Sequence, residues 1–126
     1  MANKINNNIL IVDDSMTNLV LLEAILNTNG YIVKTAYSHA LAKKIMEKWN
    51  PGLIILDVLM PDQKKGYKFF NLVINNSKLH DSKVAIVSAL DNKKIIEQAL
   101  TEGAVDYILK PINPDIFLEK VKSFLH

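Results

Sequence analysis

The sequence predicts an α/β fold: a doubly wound, five-stranded parallel sheet in the order 2-1-3-4-5, with helices on both faces. Three observations lead there. Strand-like and helix-like segments alternate five times along 126 residues. The first, third and fourth strand segments are unbroken aliphatic runs, as expected for parallel strands covered on both sides. Finally, three of the apolar runs end on ionisable side chains. Ile9-Leu10-Ile11-Val12 leads into Asp13-Asp14, Leu53-Ile54-Ile55-Leu56 into Asp57, and Tyr107-Ile108-Leu109 into Lys110. In parallel strands these groups gather at the carboxyl edge, where open α/β sheets bind ligands.

Each element has a local cause. After the first strand, Asp14-Ser15 can cap a helix with Met16, Leu19, Leu22 and Leu26 along one stripe, closed by Gly30. Tyr31-Ile32-Val33-Lys34-Thr35-Ala36 reads as the second strand. Ser38 opens a helix in which Leu41, Ile45 and Trp49 recur every fourth residue, and Asn50-Pro51-Gly52 stops it before the third strand. Phe69, Phe70, Val73 and Ile74 mark the third helix. Val84-Ala85-Ile86-Val87 is the fourth strand, ending at Ser88. Asp91 or Asn92 caps a helix bearing Ile95, Ile96, Ala99 and Leu100, which Gly103 ends. After the fifth strand, Asn113-Pro114 combines a capping residue with proline at the first helical position, ahead of Phe117, Val121 and Phe124. Lys34 and Thr35 in strand two, and Asp106 before strand five, suit the sheet edges. The order 2-1-3-4-5 satisfies this and keeps every crossover right-handed.

Size and composition narrow the class. The length fits one domain over residues 1–126, with a core at 8–125 and a polar lead at 1–7. No apolar stretch approaches the roughly 20 residues that cross a bilayer, and the opening residues lack the apolar centre of a signal peptide. There is no cysteine, hence no disulfide and no thiolate metal site. Asn75-Asn76-Ser77 matches a glycosylation acceptor, a pattern short enough to arise by chance. The chain reads as cytoplasmic. Its net charge of +2 comes from lysine alone, and the absence of arginine argues against direct nucleic-acid recognition by this domain. The doublets Lys43-Lys44, Lys64-Lys65 and Lys93-Lys94 read as solvated faces.

Three carboxylates without a balancing arginine favour a hard divalent cation, Mg2+ first. Magnesium takes only one or two protein carboxylates, which leaves one aspartate free as a nucleophile toward phosphorus. The cation and Lys110 would neutralise a transferred phosphoryl group, and Ser88 can donate a hydrogen bond to it.

In this order, Ile9-Leu10-Ile11-Val12-Asp13-Asp14-Ser15, Ile55-Leu56-Asp57-Val58-Leu59-Met60-Pro61, Ile86-Val87-Ser88-Ala89 and Gly103-Ala104-Val105-Asp106-Tyr107-Ile108-Leu109-Lys110-Pro111 resemble the receiver (response-regulator) domain of two-component signalling. The resemblance spans essentially the whole chain. It implies a flavodoxin-like (β/α)5 fold and a signalling switch rather than an enzyme. It makes Asp57 the phosphoryl acceptor, with a sensor histidine kinase or phosphotransfer protein as donor. Asp14, Asp57 and the Leu59 backbone carbonyl would ligate Mg2+ directly, and Asp13 mainly through water. Lys110, aimed by a cis bond before Pro111, would pair with the phosphoryl group. Ser88 would move toward the new charge, vacating space into which Tyr107 turns. The output surface would be the face of helix four, strand five and helix five. It would serve an unknown partner, an attached effector or a homodimer formed on phosphorylation.

Departures from the family pattern are also visible. The glycine that usually stands eight residues after the acceptor is here Gly66, nine after Asp57, and Asp62-Gln63-Lys64-Lys65 replaces the usual apolar-acidic pair. Leu59 and Leu90 stand two residues beyond Asp57 and Ser88, at places that influence acyl-phosphate hydrolysis in relatives. Both are apolar, which implies slow loss of the phosphoryl group. The last helix lacks the arginine-rich pattern of receivers joined to winged-helix domains. Asn18 and the Gly-Ala-Val-Asp-Tyr stretch are more similar to receivers of hybrid kinases or cyclic-nucleotide-signalling regulators. The last helix ends almost with the chain, which fits a complete single-domain regulator and equally a piece of a larger one.

Two readings from other classes stand beside this one. A receiver-like interaction module that no longer takes phosphate would not need Asp13, Asp14, Asp57, Ser88 and Lys110 together. A Mg2+-dependent phosphohydrolase generally needs a second acid two positions after its nucleophile, where Leu59 stands. A dinucleotide-binding fold lacks support, because the turn after strand one is acidic, with no Gly-x-Gly-x-x-Gly.

Overall fold

The computed structural model describes residues 6–76 and 81–126. The first part of the polar lead and Ser77 of the glycosylation pattern lie outside the described residues. Five strands alternate with five helices: β1 Asn8–Val12, α1 Met16–Thr28, β2 Ile32–Ala36, α2 His39–Lys48, β3 Leu53–Asp57, α3 Gln63–Asn75, β4 Lys83–Ser88, α4 Lys93–Thr101, β5 Asp106–Leu109 and α5 Pro114–Leu125. All pairings are parallel, and the order is β2-β1-β3-β4-β5, as the sequence predicts.

Strand alternation divides the core into two layers. Leu10, Val12, Ile54, Leu56, Val84 and Ile86 face α2, α3 and α4, where Ala42, Phe69, Phe70, Val73 and Ala99 meet them. Ile9, Ile11, Leu53, Ile55, Ala85 and Val87 face α1 and α5, against Leu19, Leu22, Leu26, Phe117 and Val121. Each Val, Leu, Ile or Phe among them, fully buried, stabilises the fold by about 1.5–3 kcal/mol. This accounts for the absence of polar residues from the three central runs.

The helix starts follow from their caps. Ser15, Ser38, Asp62, Asn92 and Asn113 each accept a backbone N–H of the first turn. Gly30, at φ +88°, takes the left-handed conformation after α1. Three expectations need correction. Met16 is 61% exposed and Leu100 43% exposed, so neither belongs to its buried stripe. Trp49 lies just past α2 in extended backbone, where the Lys34 ammonium sits 5.1 Å over its ring. The second strand begins at Ile32 rather than Tyr31.

Candidate functional site: an acidic pocket at the carboxyl edge

The site is built by register. Val12 pairs with Leu56 and with Ala36, so the residues after β1 emerge beside the end of β3. Asp57 pairs with Val87, and Ser88 with Leu109, which carries the edge across to Lys110. The Lys110 N–H donates to the Ser88 carbonyl at 2.9 Å, and the peptide bond between Lys110 and Pro111 is cis.

Asp13, Asp14 and Asp57 each present a carboxylate oxygen, and these oxygens all lie within 4.8 Å of one another. Asp13 and Asp57 are buried, while Asp14 is exposed at the mouth. The Lys110 ammonium donates to Asp57 Oδ2 at 2.9 Å and to Asp13 Oδ2 at 3.2 Å. Burial alone would pull the lysine pKa down. Its hydrogen bond to Asp57 and the charges of Asp13 and Asp57 outweigh that and raise it above the ordinary value.

The remaining lone pairs of the buried acids are also used. Asp57 Oδ1 accepts the Leu59 N–H at 2.9 Å, Asp13 Oδ1 accepts the Ser15 N–H at 2.9 Å, and Asn18 Nδ2 donates to Asp13 Oδ2 at 3.3 Å. Asp14 makes no hydrogen bond or ion pair among the described residues. One ammonium against three carboxylates leaves two negative charges uncompensated. The donors are hard oxygens with no thiolate or imidazole among them, so the set fits a hard divalent cation such as Mg2+.

Ser88 is fully buried, and its Oγ accepts the Leu90 N–H at 3.1 Å. Tyr107 is buried as well, and its hydroxyl donates to the Leu90 carbonyl at 2.8 Å. The ring therefore occupies the inward position that the sequence-based expectation reserved for the phosphorylated protein.

Gly66 lies in α3, where a Cβ would meet the Val58 carbonyl oxygen at 1.7 Å. Despite its later position in the sequence, this glycine lets α3 approach the turn that follows Asp57. The peptide bond between Met60 and Pro61 in that connection is cis. Sequence reasoning missed three participants: Asn18 as a partner of Asp13, the Leu90 main chain as the link between Ser88 and Tyr107, and Tyr67 beside the Tyr107 hydroxyl. Only Asn18 had a signal, since it stands one turn into a helix that starts beside Asp13.

Among known proteins, the response regulator receiver domain family matches residues 9–122. Response regulator PleD of Caulobacter vibrioides is 33% identical over 115 residues, which cover 91% of this chain and 25% of that protein. Chemotaxis protein CheY of Treponema pallidum is 32% identical over 120 residues, covering 93% of this chain and 81% of its own length. A crystal structure of a response regulator from Thermotoga maritima has a TM-score of 0.85 at 28% identity, over 94% of this chain and 96% of that one. The chain thus spans about a quarter of PleD, and 26% of a probable cyclic di-GMP phosphodiesterase of Vibrio cholerae. No helix among the described residues is long and apolar enough to cross a membrane. With the family matched over nearly all of the chain, and a relative matched over most of its own length, the chain belongs to the response regulator receiver domains of two-component signalling.

Proposed function

We propose that Asp57 is the phosphoryl acceptor of a signalling switch, loaded by a sensor histidine kinase or a phosphotransfer protein in a Mg2+-dependent step. The observation that carries this is the junction of three carboxylates within 4.8 Å with a lysine bonded to one of them. An oxygen of the Asp57 carboxylate attacks phosphorus, the new O–P bond gives an acyl phosphate, and the P–N bond of the donor phosphohistidine breaks. Its electron pair stays with the departing imidazole.

Asp14, Asp57 and the Leu59 carbonyl would hold the cation directly, and Asp13 through water. When bound, the cation supplies charge neutralisation for the transferring group. Lys110 already spans Asp57 and Asp13, so it is placed to follow the charge onto the phosphoryl oxygens. Ser88 supplies a hydroxyl close to the same edge. The domain itself does no turnover chemistry on an external substrate; its product is its own changed surface.

Phosphorylation adds about 1.5–2 negative charges at one point. Ser88, the Leu90 main chain and Tyr107 form a hydrogen-bonded series from the acceptor edge toward β5. The face of α4, β5 and α5 is the output surface in this reading, offered to a separate partner, an attached effector or a second copy. Incubation with a small acyl phosphate and Mg2+, followed by intact mass measurement, tests the proposal. One phosphoryl group should appear on the wild type and none on Asp57→Ala. An unmodified wild type would favour the interaction-module reading.

A further inference from the structure

The hydrogen-bonded series ends at Tyr107. Its ring packs into the α3–α4 side of the core, where Tyr67 of α3 lies against the same cluster. The Tyr67 hydroxyl oxygen is buried yet lacks an aligned hydrogen-bond partner, although it comes close to the Tyr107 hydroxyl. Burial foremost, then Tyr107 and the charge of Glu102, push the Tyr67 pKa well above the ordinary tyrosine value, so this hydroxyl keeps its proton.

Glu102 presents the complementary problem. It follows α4, one of its oxygens accepts from Gln98 Nε2 at 3.1 Å, and the other is buried without any donor. A carboxylate at a helix C-terminus opposes the helix dipole, and a buried unpaired oxygen adds a further cost. Tyr67 and Glu102 line one cavity of about 380 Å3 between α3 and α4, together with Gln63, Lys64, Asn71 and Gln98.

The proton of Tyr107 is already given to the Leu90 carbonyl, so Tyr107 can only accept from Tyr67. The Tyr67 proton therefore has the Tyr107 oxygen beside it and, across the cavity the two residues share, the orphaned Glu102 oxygen, to which the hydroxyl must turn. We propose that Tyr67 is a positioning residue for Tyr107: its hydroxyl supports the inward ring when it donates to Tyr107, and turns to Glu102 when the ring leaves. The Glu102 charge favours the outward ring, because a hydrogen bond to an ionised acceptor is the stronger of the two. This deepens the switch reading above and takes from it the role of Tyr107.

The test reads the Tyr107 ring directly, in protein that has met no phosphodonor, so its result is separable from whether Asp57 accepts phosphate. Fluorotyrosine is placed at position 107, and the inward-to-outward ratio is read from its 19F resonances in wild type, Glu102→Gln, Tyr67→Phe and the double variant. Glu102→Gln keeps the shape and the Gln98 contact while removing the charge. It should raise the inward ratio about three- to tenfold, the scale of one hydrogen bond. In the Tyr67→Phe background the same change should leave the ratio where it was. Three outcomes overturn the proposal: an equal response in both backgrounds, no response in either, or a ring wholly inward in every variant. Loss of fold would show as loss of helical circular dichroism; Tyr67→Leu, which removes the hydroxyl without adding another donor, then serves as the background, with the same expectation.

Discussion

Lys110 Nζ lies 2.9 Å from Asp57 Oδ2 and 3.2 Å from Asp13 Oδ2, one ammonium held between carboxylates from the ends of two neighbouring strands. The arrangement holds together two acids that would otherwise repel each other. It also fixes a pH dependence. Hydrogen bonds and the charges of both acids raise the folded-state lysine pKa against the opposing effect of burial. A raised value means that the folded chain binds this proton more tightly. The stabilisation is therefore complete below the unfolded lysine pKa and is lost as pH climbs through the folded one. The stability gap between wild type and Lys110→Met, followed by urea unfolding, should stay flat from neutral pH to about 10 and narrow above it. A gap that closes by about pH 9 would contradict the pairing.

Divalent binding should appear in stability before it appears in chemistry. Asp14 is exposed and free of hydrogen bonds or ion pairs among the described residues, and its carboxylate crowds those of Asp13 and Asp57, so Asp14→Asn should leave the metal-free stability unchanged or raise it. Wild type in Mg2+ at about a hundred times its Kd should gain about 2.7 kcal/mol. Most of that gain should vanish in Asp14→Asn. Urea unfolding of both proteins, with Mg2+ and with a chelator, decides it; an undiminished gain in the variant removes Asp14 from the site.

Much of this site was legible because its residues terminate strands whose interiors admit only aliphatic side chains. Ile54 and Leu56 on one face, Ile9 and Ile11 on the other, leave no ambiguity about where β1 and β3 run, so the position of Asp57 beside Asp13 follows from sheet order. Caps were equally readable at Ser38 and Asn113, where a side-chain oxygen meets the first turn. Helix faces were less so. Periodicity placed Met16 and Leu100 on stripes but could not say that the core ends before reaching them. Tyr67 and Glu102 carried no signal at all, because they meet across a cavity between α3 and α4 that no local pattern encodes.

Gly66 is required by contact rather than by backbone freedom. A Cβ there would stand 1.7 Å from the Val58 carbonyl oxygen and 2.4 Å from its carbon, both backbone atoms that cannot swing aside. Gly66→Ala should therefore cost at least the roughly 1–3 kcal/mol of an overpacked core. Because Val58 directly follows Asp57, phosphorylation should slow as well. Urea unfolding and the rate of phosphoryl uptake from a small acyl phosphate measure the two effects; an alanine variant as stable as wild type would mean that α3 sits farther from the turn.

Under the proposed function, the lifetime of the phosphorylated state depends on water reaching the acyl phosphate, and the residues two positions after Asp57 and Ser88 are half-buried leucines. Leu59 is fixed by its N–H on Asp57, and Leu90 by its N–H on Ser88 and its carbonyl under Tyr107. Neither side chain can orient a water, so the isolated domain should lose its phosphoryl group over minutes rather than seconds. A polar group at either position gives water a hydrogen-bonding partner near phosphorus. Leu59→Asn should then shorten the lifetime by about tenfold, a small part of the roughly 10²–10⁴ that a positioned acid–base group contributes. Leu59→Met, equally apolar and of similar volume, should leave it unchanged. Decay of the phosphorylated mass after removal of the phosphodonor gives all three lifetimes, and equal decay in Leu59→Asn and Leu59→Met would show that water reaches the site by another route.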